Sequence, residues 1–521
     1  MTDLGHATRT LPFSRVGTSS IHLRYLDDDP DLIELLPRRH RDAADLVRDL
    51  PRSARRLVPR RALSQALVSY ATRHGAGPAA LEAARRVEQE DVLFVITGQQ
   101  PGVFGGPLYT LHKVITAVKL CREIAKVPGA PPVVPLFWNH TEDHDWGEVN
   151  HTFLVNPAQE LQRFRLDLVH DGQPVRDVPV GDRFEATLSA ALENLPVTEF
   201  RDLVTRLYRP ERAEDTLGTL QARLLFQLFA GEALLVIEPR DLPGEAFDVL
   251  AKFWSQASPI RSAVRRTADR IADIDLDVTV DLDGPLLFSR AGGRRVAIPD
   301  GDPLPRPELV SPGVLLRPLW QDACLPTAAY VCGPGELSYL VLSQPLYKLL
   351  GVPAPALVPR ASITLLEGSL QKLLTRFGWD LADLAQGPEA LASAVSRDGA
   401  TDLVEDRIAD LAQHVERGLT AAEEEVRKVD QSLLGPLERS RGKVKEELEK
   451  LALKIRNHRQ NREGTGLRQI RRLCANLRPR GQLQERVLPA LPFLNLHGQS
   501  LVPMLVNAID PFARGHYLVE L

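Results

Sequence analysis

DVLFVITGQQPGVFGGPLYTLHK, residues 91–113, decides the fold, because it reads as a buried strand, a glycine-rich turn and the start of a helix. Val92 to Ile96 is short, apolar and rich in β-branched and aromatic side chains, the pattern of a parallel strand buried on both faces, and it stops at Thr97 and Gly98. Gly102, Gly105 and Gly106 allow positive φ and close approach of the backbone to a ligand. Pro107 suits the first helical position, where an N–H has no partner in any case. Beyond it, Leu111, Val114, Ile115, Val118 and Leu120 fall at helical spacing, so one face packs on the sheet. A helix starting above a strand end aims N–H groups and partial positive charge at that end, which suits phosphate. Tyr109, His112 and Lys113 lie in its first two turns, and Gln99 and Gln100 stand at the carboxyl end of the strand, where open α/β sheets bind ligands. The plainer reading is a tight packing turn, since the stretch is neither a Walker A motif nor a GxGxxG fingerprint.

A second strand, Val133 to Trp138, delivers Asn139, His140, Glu142, Asp143, His144 and Asp145 together at its own carboxyl end. A crossover through the helix puts it beside the first strand, so this cluster faces the glycine turn. Three readings compete. His140 and His144, with Asp145 or His151, have a four-residue spacing that suits a metal on a helix, but the segment reads as a loop. Acceptor carboxylates and a histidine also suit recognition of a substrate or a ribose, which is the preferred reading. The third is a solvated loop in which Asp143 or Asp145 caps a short helix.

Elsewhere the chain alternates. Helical periodicity over 41–50, 61–74 and 78–90 predicts a cover for one sheet face. Residues 149–230 mix short strands and helices as an insertion, 233–238 resume the buried-strand pattern, and 277–310 carry hairpin signals at Asp283-Gly284 and Gly292-Gly293. Thr327 to Cys332 is a further strand, after which Gly333, Pro334, Gly335 and Glu336 turn into a helix; this second glycine turn is a candidate second wall of the cleft. Arg317 and Asp322 precede it, and a structural salt bridge is the competing role for Arg317. Ala356 to Val358 ends the series at Pro359-Arg360.

From about 375 the pattern changes: Val404, Ile408, Leu411, Val415, Ala422, Val426, Val429 and Leu433 step by threes and fours, and Val444, Leu448, Leu451 and Ile455 repeat this after Gly435-Pro436. Two long helices in an antiparallel coiled coil follow, with HYLVEL as a closing strand. The basic run from Arg456 to Arg480 reads as a solvated helix face rather than a nucleic-acid contact. A net charge of −4 argues against a dedicated nucleic-acid binder, no stretch resembles a membrane span, and a polar N-terminus without a signal core predicts a cytoplasmic protein. Cys121, Cys324, Cys332 and Cys474 are scattered with no CxxC, so neither disulfides nor a structural zinc is expected, and no metal ligands are assigned.

Taken together, TGQQPGVFGGPLYTLHK, FWNHTEDHDWGEVNH, LLRPLWQDACLPTAAYVCGPGELSY, VPRAS and GQLQERV resemble the bacillithiol biosynthesis cysteine-adding enzyme family, the BshC cysteine ligases, over essentially the full chain. The resemblance implies an α/β fold with a Rossmann-like parallel-sheet core similar to class I nucleotidyltransferases, connecting-peptide insertions and a C-terminal antiparallel coiled coil that forms a homodimer. On this sequence that gives a core over 1–375, with insertions at about 149–230 and 277–310. A coiled-coil domain follows over 376–521, its helices at about 402–430 and 436–475 and its tail returning to the core. The implied reaction joins L-cysteine to the amine of glucosaminyl-malate, with ATP or another nucleotide and Mg²⁺ as cofactors. By analogy with class I enzymes, Thr97, Gly98, Gln99, Gln100, Gly105, Gly106, Pro107, Tyr109 and His112 hold the nucleotide. Lys113, Glu142, Asp143, His144 and Asp145 carry the catalysis, and Asn139, Arg317, Asp322, Gly333, Gly335 and Glu336 touch substrate. His140-Thr141 stand where the family more often has small residues. Another amine–carboxylate ligase or nucleotidyltransferase, or a non-catalytic nucleotide-binding scaffold, are the alternatives.

Overall fold

The computed structural model describes residues 8–50, 57–89, 91–276, 280–396 and 402–521. The start of the expected antiparallel insertion at 277–279, the side chains of the seam positions Val404 and Ile455, and those of the basic run over 456–464 lie outside the described residues. The chain falls into two compact units: residues up to Gly368 together with Gln482–Leu521, and Ser369–Gly481.

The first unit is built on five parallel strands, β1 (Leu93–Gln99), β2 (Val133–Asn139), β3 (Leu235–Ile237), β4 (Thr327–Cys332) and β5 (Ala356–Pro359). Their order across the sheet is β5-β4-β1-β2-β3. Successive strands therefore run outward from β1 to β3, then return to its other side at β4, the order of a Rossmann-type half. Helix α1 (Leu108–Ala125) connects β1 to β2, and α2 (Leu337–Leu350) connects β4 to β5. The register pairs Leu93 with Val133 and ends by pairing Gln99 with Asn139, which brings the carboxyl ends of β1 and β2 level.

Side-chain alternation sorts the two sheet faces. Leu93, Val95, Val331 and Val358 pack on Ala117, Leu120 and Ile124 of α1, and Phe137 and Val236 join Leu111, Val114 and Val118 on the same side. Phe94, Ile96, Leu136, Trp138 and Tyr330 face the other way, onto Leu63 and Leu67 of helix Arg60–Arg73, Ala83 and Val87 of Pro78–Gln89, and Leu340 and Val341 of α2. A separate three-stranded sheet has Gly515–Glu520 in the middle, antiparallel to Thr8–Pro12 and parallel to Ser362–Leu366. Leu287–Ser289, Val296–Ala297 and Val310–Pro312 form a small antiparallel sheet near the cleft.

The second unit contains two long helices, α3 (Asp402–Val429) and α4 (Leu434–Leu477), joined by a turn over Gln431–Leu433. Arg441 reaches Glu423 at 3.1 Å from one helix to the other. No described side chain between 407 and 454 is buried, and Leu411 and Leu451 remain 48% and 42% exposed, so the apolar seam is only half covered within one chain.

Candidate active site

The strand order reverses between β1 and β4, and a crevice opens at such a switch point beyond the carboxyl ends of the strands. Thr97 closes the base of it by donating its hydroxyl to Val331 O at 2.9 Å. Lys113, in the second turn of α1, reaches back so that Nζ donates to Gly98 O at 2.7 Å and Gln99 Oε1 at 3.0 Å. The same ammonium pairs with Glu336 Oε2 at 2.6 Å. Glu336 is turned inward by the second glycine turn, where it also accepts from Gly333 N at 2.6 Å and from the hydroxyls of Tyr330 and Tyr339 at 2.8 Å each. Burial pushes the Glu336 carboxyl up, but Lys113 and these donors outweigh it and hold it below its ordinary value. Three donors on Lys113 meet three acceptors, so its charge is spent within the protein.

The first glycine turn works differently from the sequence expectation. Phe104, Gly105 and Gly106 have φ of 53°, 80° and 73°, and a Cβ on Gly105 would stand 2.7 Å from Leu224 Cδ2. The Leu108 N–H, the first of α1, donates to Leu488 O at 2.8 Å, and Pro107 bridges to Pro489. Gly105, Gly106 and Pro107 therefore dock the helix start on the C-terminal segment, and the phosphate cradle expected there is closed by a backbone carbonyl. His112 is corrected likewise. Its side chain is fully buried, with Nδ1 2.9 Å from Glu485 Oε2, and Glu485 also accepts from Arg360 and Ser362 at 2.7 Å and Ile363 N at 2.8 Å. Burial keeps His112 neutral-leaning by lowering its pKa, while Arg360 and His112 hold Glu485 well down despite its own burial. Tyr109 faces the crevice side of this knot, with the Arg360 guanidinium 5.5 Å from its ring centroid.

At the end of β2, Asn139 is used structurally, donating to Gly218 O at 3.0 Å. His140 N extends the ladder to Gln99 O at 3.1 Å, and its ring covers Gly98, where a Cβ would lie 2.5 Å from Nε2. Burial and the nearby Arg317 keep His140 far below the usual histidine range, hence neutral. Arg317 sits 3.4 Å from His140 Nδ1 and 3.5 Å from Asp143 Oδ2. On the other side of Asp143 stands Arg295, 3.3 Å from Oδ1, its remaining donors on Pro312 O at 3.0 Å and Ser311 Oγ at 3.3 Å, its plane 3.8 Å from the Phe288 ring centroid. Burial drives the Asp143 carboxyl up, but the two guanidiniums prevail and bring it down to about 2. His144 Nδ1 lies 3.5 Å from Asp143 Oδ1, on a ring that is 42% exposed.

Glu142 is engaged by Arg240 at 2.8 Å, and Arg240 and Arg290 share Asp177 at 3.2 and 2.9 Å. Asp145 caps the short helix Trp146–Val149 through Glu148 N at 3.2 Å, as the plain loop reading had it. Trp138, His140, Glu142, Asp143, Pro312 and Arg317 line one small cavity. Asp322 is not brought into it. Five residues along helix Arg317–Cys324 turn a side chain about 140° away, and Asp322 is buried against Tyr347 Oη at 2.5 Å and Thr327 Oγ1 at 2.7 Å, burial raising it to about 6. Among the described residues, no group of three or more His, Cys, Asp or Glu gathers as a metal site. Residues that sequence reasoning missed are Arg295, Arg240, Asp177, Tyr330, Tyr339 and Glu485. Gly292-Gly293 signalled the hairpin that carries Arg295, but nothing local to it signals Asp143 as its partner.

A Rossmann-like sheet with charged groups at its switch point and a long helical hairpin later in the chain define an α/β protein with a coiled-coil domain. Two family models agree: Bacillithiol biosynthesis BshC, N-terminal Rossmann-like domain, matches residues 8–302 and 304–361, and the C-terminal coiled-coil domain of the same family matches 363–521. The chain belongs to the BshC family of ligases in bacillithiol biosynthesis. It is 31% identical to a protein of Salinibacter ruber over 90% of either chain. It is 30% identical to one of Solibacter usitatus, covering 82% of this chain and 84% of the relative. A relative from Heliobacterium modesticaldum is 29% identical over 98% of this chain and its own full length. Each of the three is named "Putative cysteine ligase BshC". No helix among the described residues is long and apolar enough to cross a membrane.

Proposed function

We propose that this protein forms the amide between the carboxyl of L-cysteine and the amine of glucosaminyl-malate, in the cytoplasm, with ATP and Mg²⁺. The observation that carries the reading is the Asp143–His144 pair set beside two arginines at the switch point of the sheet. A carboxylate is a poor electrophile, and ATP, when bound, supplies the group that turns it into a good one. For the nucleotide this chain offers Gln100, whose Oε1 is buried without a partner, and the open turn at Gly335, where a Cβ would meet nothing. A buried acceptor left unpaired is costly, so a donor from a ligand suits it. Mg²⁺ needs few protein ligands when phosphates supply the rest.

The amine must be neutral to attack. His144 accepts its proton, and Asp143, ionised across the whole neutral range, stabilises the imidazolium that results. Arg317 donates toward the carbonyl oxygen as negative charge grows on it, and His140 fixes the guanidinium from the side. Lys113 and Glu336 position rather than react: they lock the ends of β1 and β4 together under the reacting atoms. The half-covered seam of α3 and α4 is completed by the same seam of a second copy, making a homodimer.

The test is mass-spectrometric detection of bacillithiol from purified protein given ATP, Mg²⁺, L-cysteine and glucosaminyl-malate, with ADP and AMP followed alongside. Product with stoichiometric ADP or AMP is expected, and His144→Ala lowers the rate about 10²-fold or more at unchanged folding. Folded, ATP-binding protein that makes no product overturns the ligase reading. Deletion of residues 402–462 is expected to give monomers in sedimentation; a persisting dimer places the interface elsewhere.

A further inference from the structure

The contacts around Asp143 are longer than those of the two tightest ion pairs beside the cleft. Lys113–Glu336 and Arg360–Glu485 close at 2.6 and 2.7 Å, the range of a fully formed charge-assisted hydrogen bond. Arg295 and Arg317 stand 3.3 and 3.5 Å from Asp143, at or beyond the long edge of that range. The charges do not balance either. Two guanidiniums share one carboxylate at contact distance, His140 beside them is neutral, Glu142 is committed to Arg240, and Glu148 acts on Arg317 only from farther off, so in contact the guanidiniums outnumber their carboxylates.

Arg295 is nevertheless rigidly placed. Its side chain is 5% exposed, Pro312 O and Ser311 Oγ take two of its nitrogens, and Phe288 supports its plane, which leaves Nη1 directed at Asp143 Oδ1 and, at 3.5 Å, His144 Nδ1. Arg317 stands on a helix start and lines the small cavity with Asp143 and His140. A fixed guanidinium at Arg295 and a more loosely held one at Arg317, sharing one carboxylate at long contacts, form a fork for a larger anion, and paired carboxylates match such a fork better than a single one.

We propose that Arg295 and Arg317 form the subsite for the dicarboxylate arm of the sugar substrate, and that Asp143 occupies one carboxylate position until the substrate arrives. The inference rests on the ligase reading for the identity of that arm, since the malate portion of glucosaminyl-malate carries two carboxylates. On binding, the arginines pass from Asp143 to the substrate. Asp143 then keeps His144 as its remaining partner, next to the amine that has just been delivered.

Two measurements test this. Calorimetric titration with L-malate alone reads the subsite without turnover: wild type binds, Arg317→Gln and Arg295→Gln bind about 10- to 100-fold more weakly, and Asp143→Asn binds more tightly than wild type. Arg317→Lys, which keeps the charge and loses the fork, falls between them. Steady-state kinetics identifies which substrate supplies the anion. Arg295→Gln raises the KM for glucosaminyl-malate about tenfold or more, leaves the KM values for ATP and cysteine within about threefold, and costs the slower reaction with methyl glucosaminide, which has the amine and no carboxylate, much less. A rise confined to the KM for ATP or for cysteine assigns the fork to a phosphate or to the amino-acid carboxylate and overturns the proposal, as does equal loss with both sugars. If wild type makes no product but binds L-malate through these arginines, the subsite stands and the ligase reading falls. If product forms while both Gln variants keep the wild-type KM and malate affinity, only the subsite falls.

Discussion

Two polar clusters share the carboxyl edge of one sheet and are built to opposite rules. Behind the crevice, Glu485 takes His112, Arg360, Ser362 and Ile363 N at 2.7 to 2.9 Å, and Ser362 and Thr364 hold both nitrogens of His516 at 2.8 Å. In front of it, the side chains of Asp143, Arg295, Arg317, His140 and His144 approach one another at 3.3 to 3.5 Å, and the one short bond is from the His144 backbone N–H to Asp143 Oδ1 at 2.8 Å. Burying an ion costs several kcal/mol and is recovered only when its hydrogen bonds are complete. The Glu485 carboxylate meets that condition, although His112 Nε2 is buried without a partner, and the rear cluster belongs to the scaffold: it fastens α1 to the strands Ser362–Leu366 and Gly515–Glu520. The front cluster does not, and the interaction it leaves unmade is available to a ligand. Glu336 and Lys113 are the boundary between them, a saturated pair directly under the loose one.

The largest test of this contrast is Glu485→Ala. It leaves the Arg360 charge buried with no counter-ion and the His112 ring and the Ile363 N–H without their acceptor, and an expected loss of about 3–5 kcal/mol follows. Urea unfolding measures it, and a loss under about 1 kcal/mol would mean that water or rearrangement reaches the rear cluster, erasing the difference from the front.

A smaller effect comes from His22, which stacks edge-on against Phe13 at 4.8 Å and lies close to the Arg360–Glu485 pair. Burial, with Arg360 adding to it, lowers His22 to about 4. An unfolded histidine protonates near 6.5, so between these values the unfolded chain binds more protons and stability falls as pH falls. The full contribution is present above about pH 6.5, and about 3 kcal/mol is lost by the time pH reaches the folded value. His22→Gln should flatten the dependence of the urea midpoint on pH between 7 and 4.5. A slope identical to wild type would show that the site admits the charged ring and is as permissive as the front cluster.

The contrast also separates what a sequence can reveal from what it hides. Each of the five core strands is a run of buried apolar residues punctuated by Gly or Pro, so β1 to β5 are legible one at a time, and the three-and-four spacing is enough to read α3 and α4. The place of the candidate site follows from the same strands, because strand ends in a parallel sheet carry ligands whatever their residues. Its partners do not. Lys113 reads as a free cation until Glu336, far along the chain, is folded beside it; Gly105 and Gly106 read as a cradle until Leu488 caps the helix; and Arg295 reads as one of two arginines in a hairpin tip. Pairing over such distances leaves no periodic trace. Asp322 misled for a local reason, since helix phase rather than proximity to β4 decides which way it points.

Asp143→Asn gives the smallest expected change and the finest discrimination. The amide keeps the shape of the carboxylate and an oxygen for the His144 N–H, which Asp143 Oδ1 now accepts at 2.8 Å, and loses only the charge. A fall from an unfolded value near 3.9 to about 2 sets a ceiling of about 2.5 kcal/mol on what that charge is worth at pH 7. The sign is that of a depressed carboxyl: stability present above about pH 4 and lost as pH falls toward 2. Contacts of 3.3 to 3.5 Å on a side chain 19% exposed hold the realised value to about 1–2 kcal/mol, less than half the loss at Glu485. Removing the carboxylate also leaves two guanidiniums facing each other without an anion between them. An added dicarboxylate should then raise the melting temperature of Asp143→Asn by more than that of wild type, because it takes up the vacated position without having to displace a resident group. If Asp143→Asn instead costs as much as Glu485→Ala and responds to no anion, the front cluster is scaffold too, and the two halves of the sheet edge are built alike.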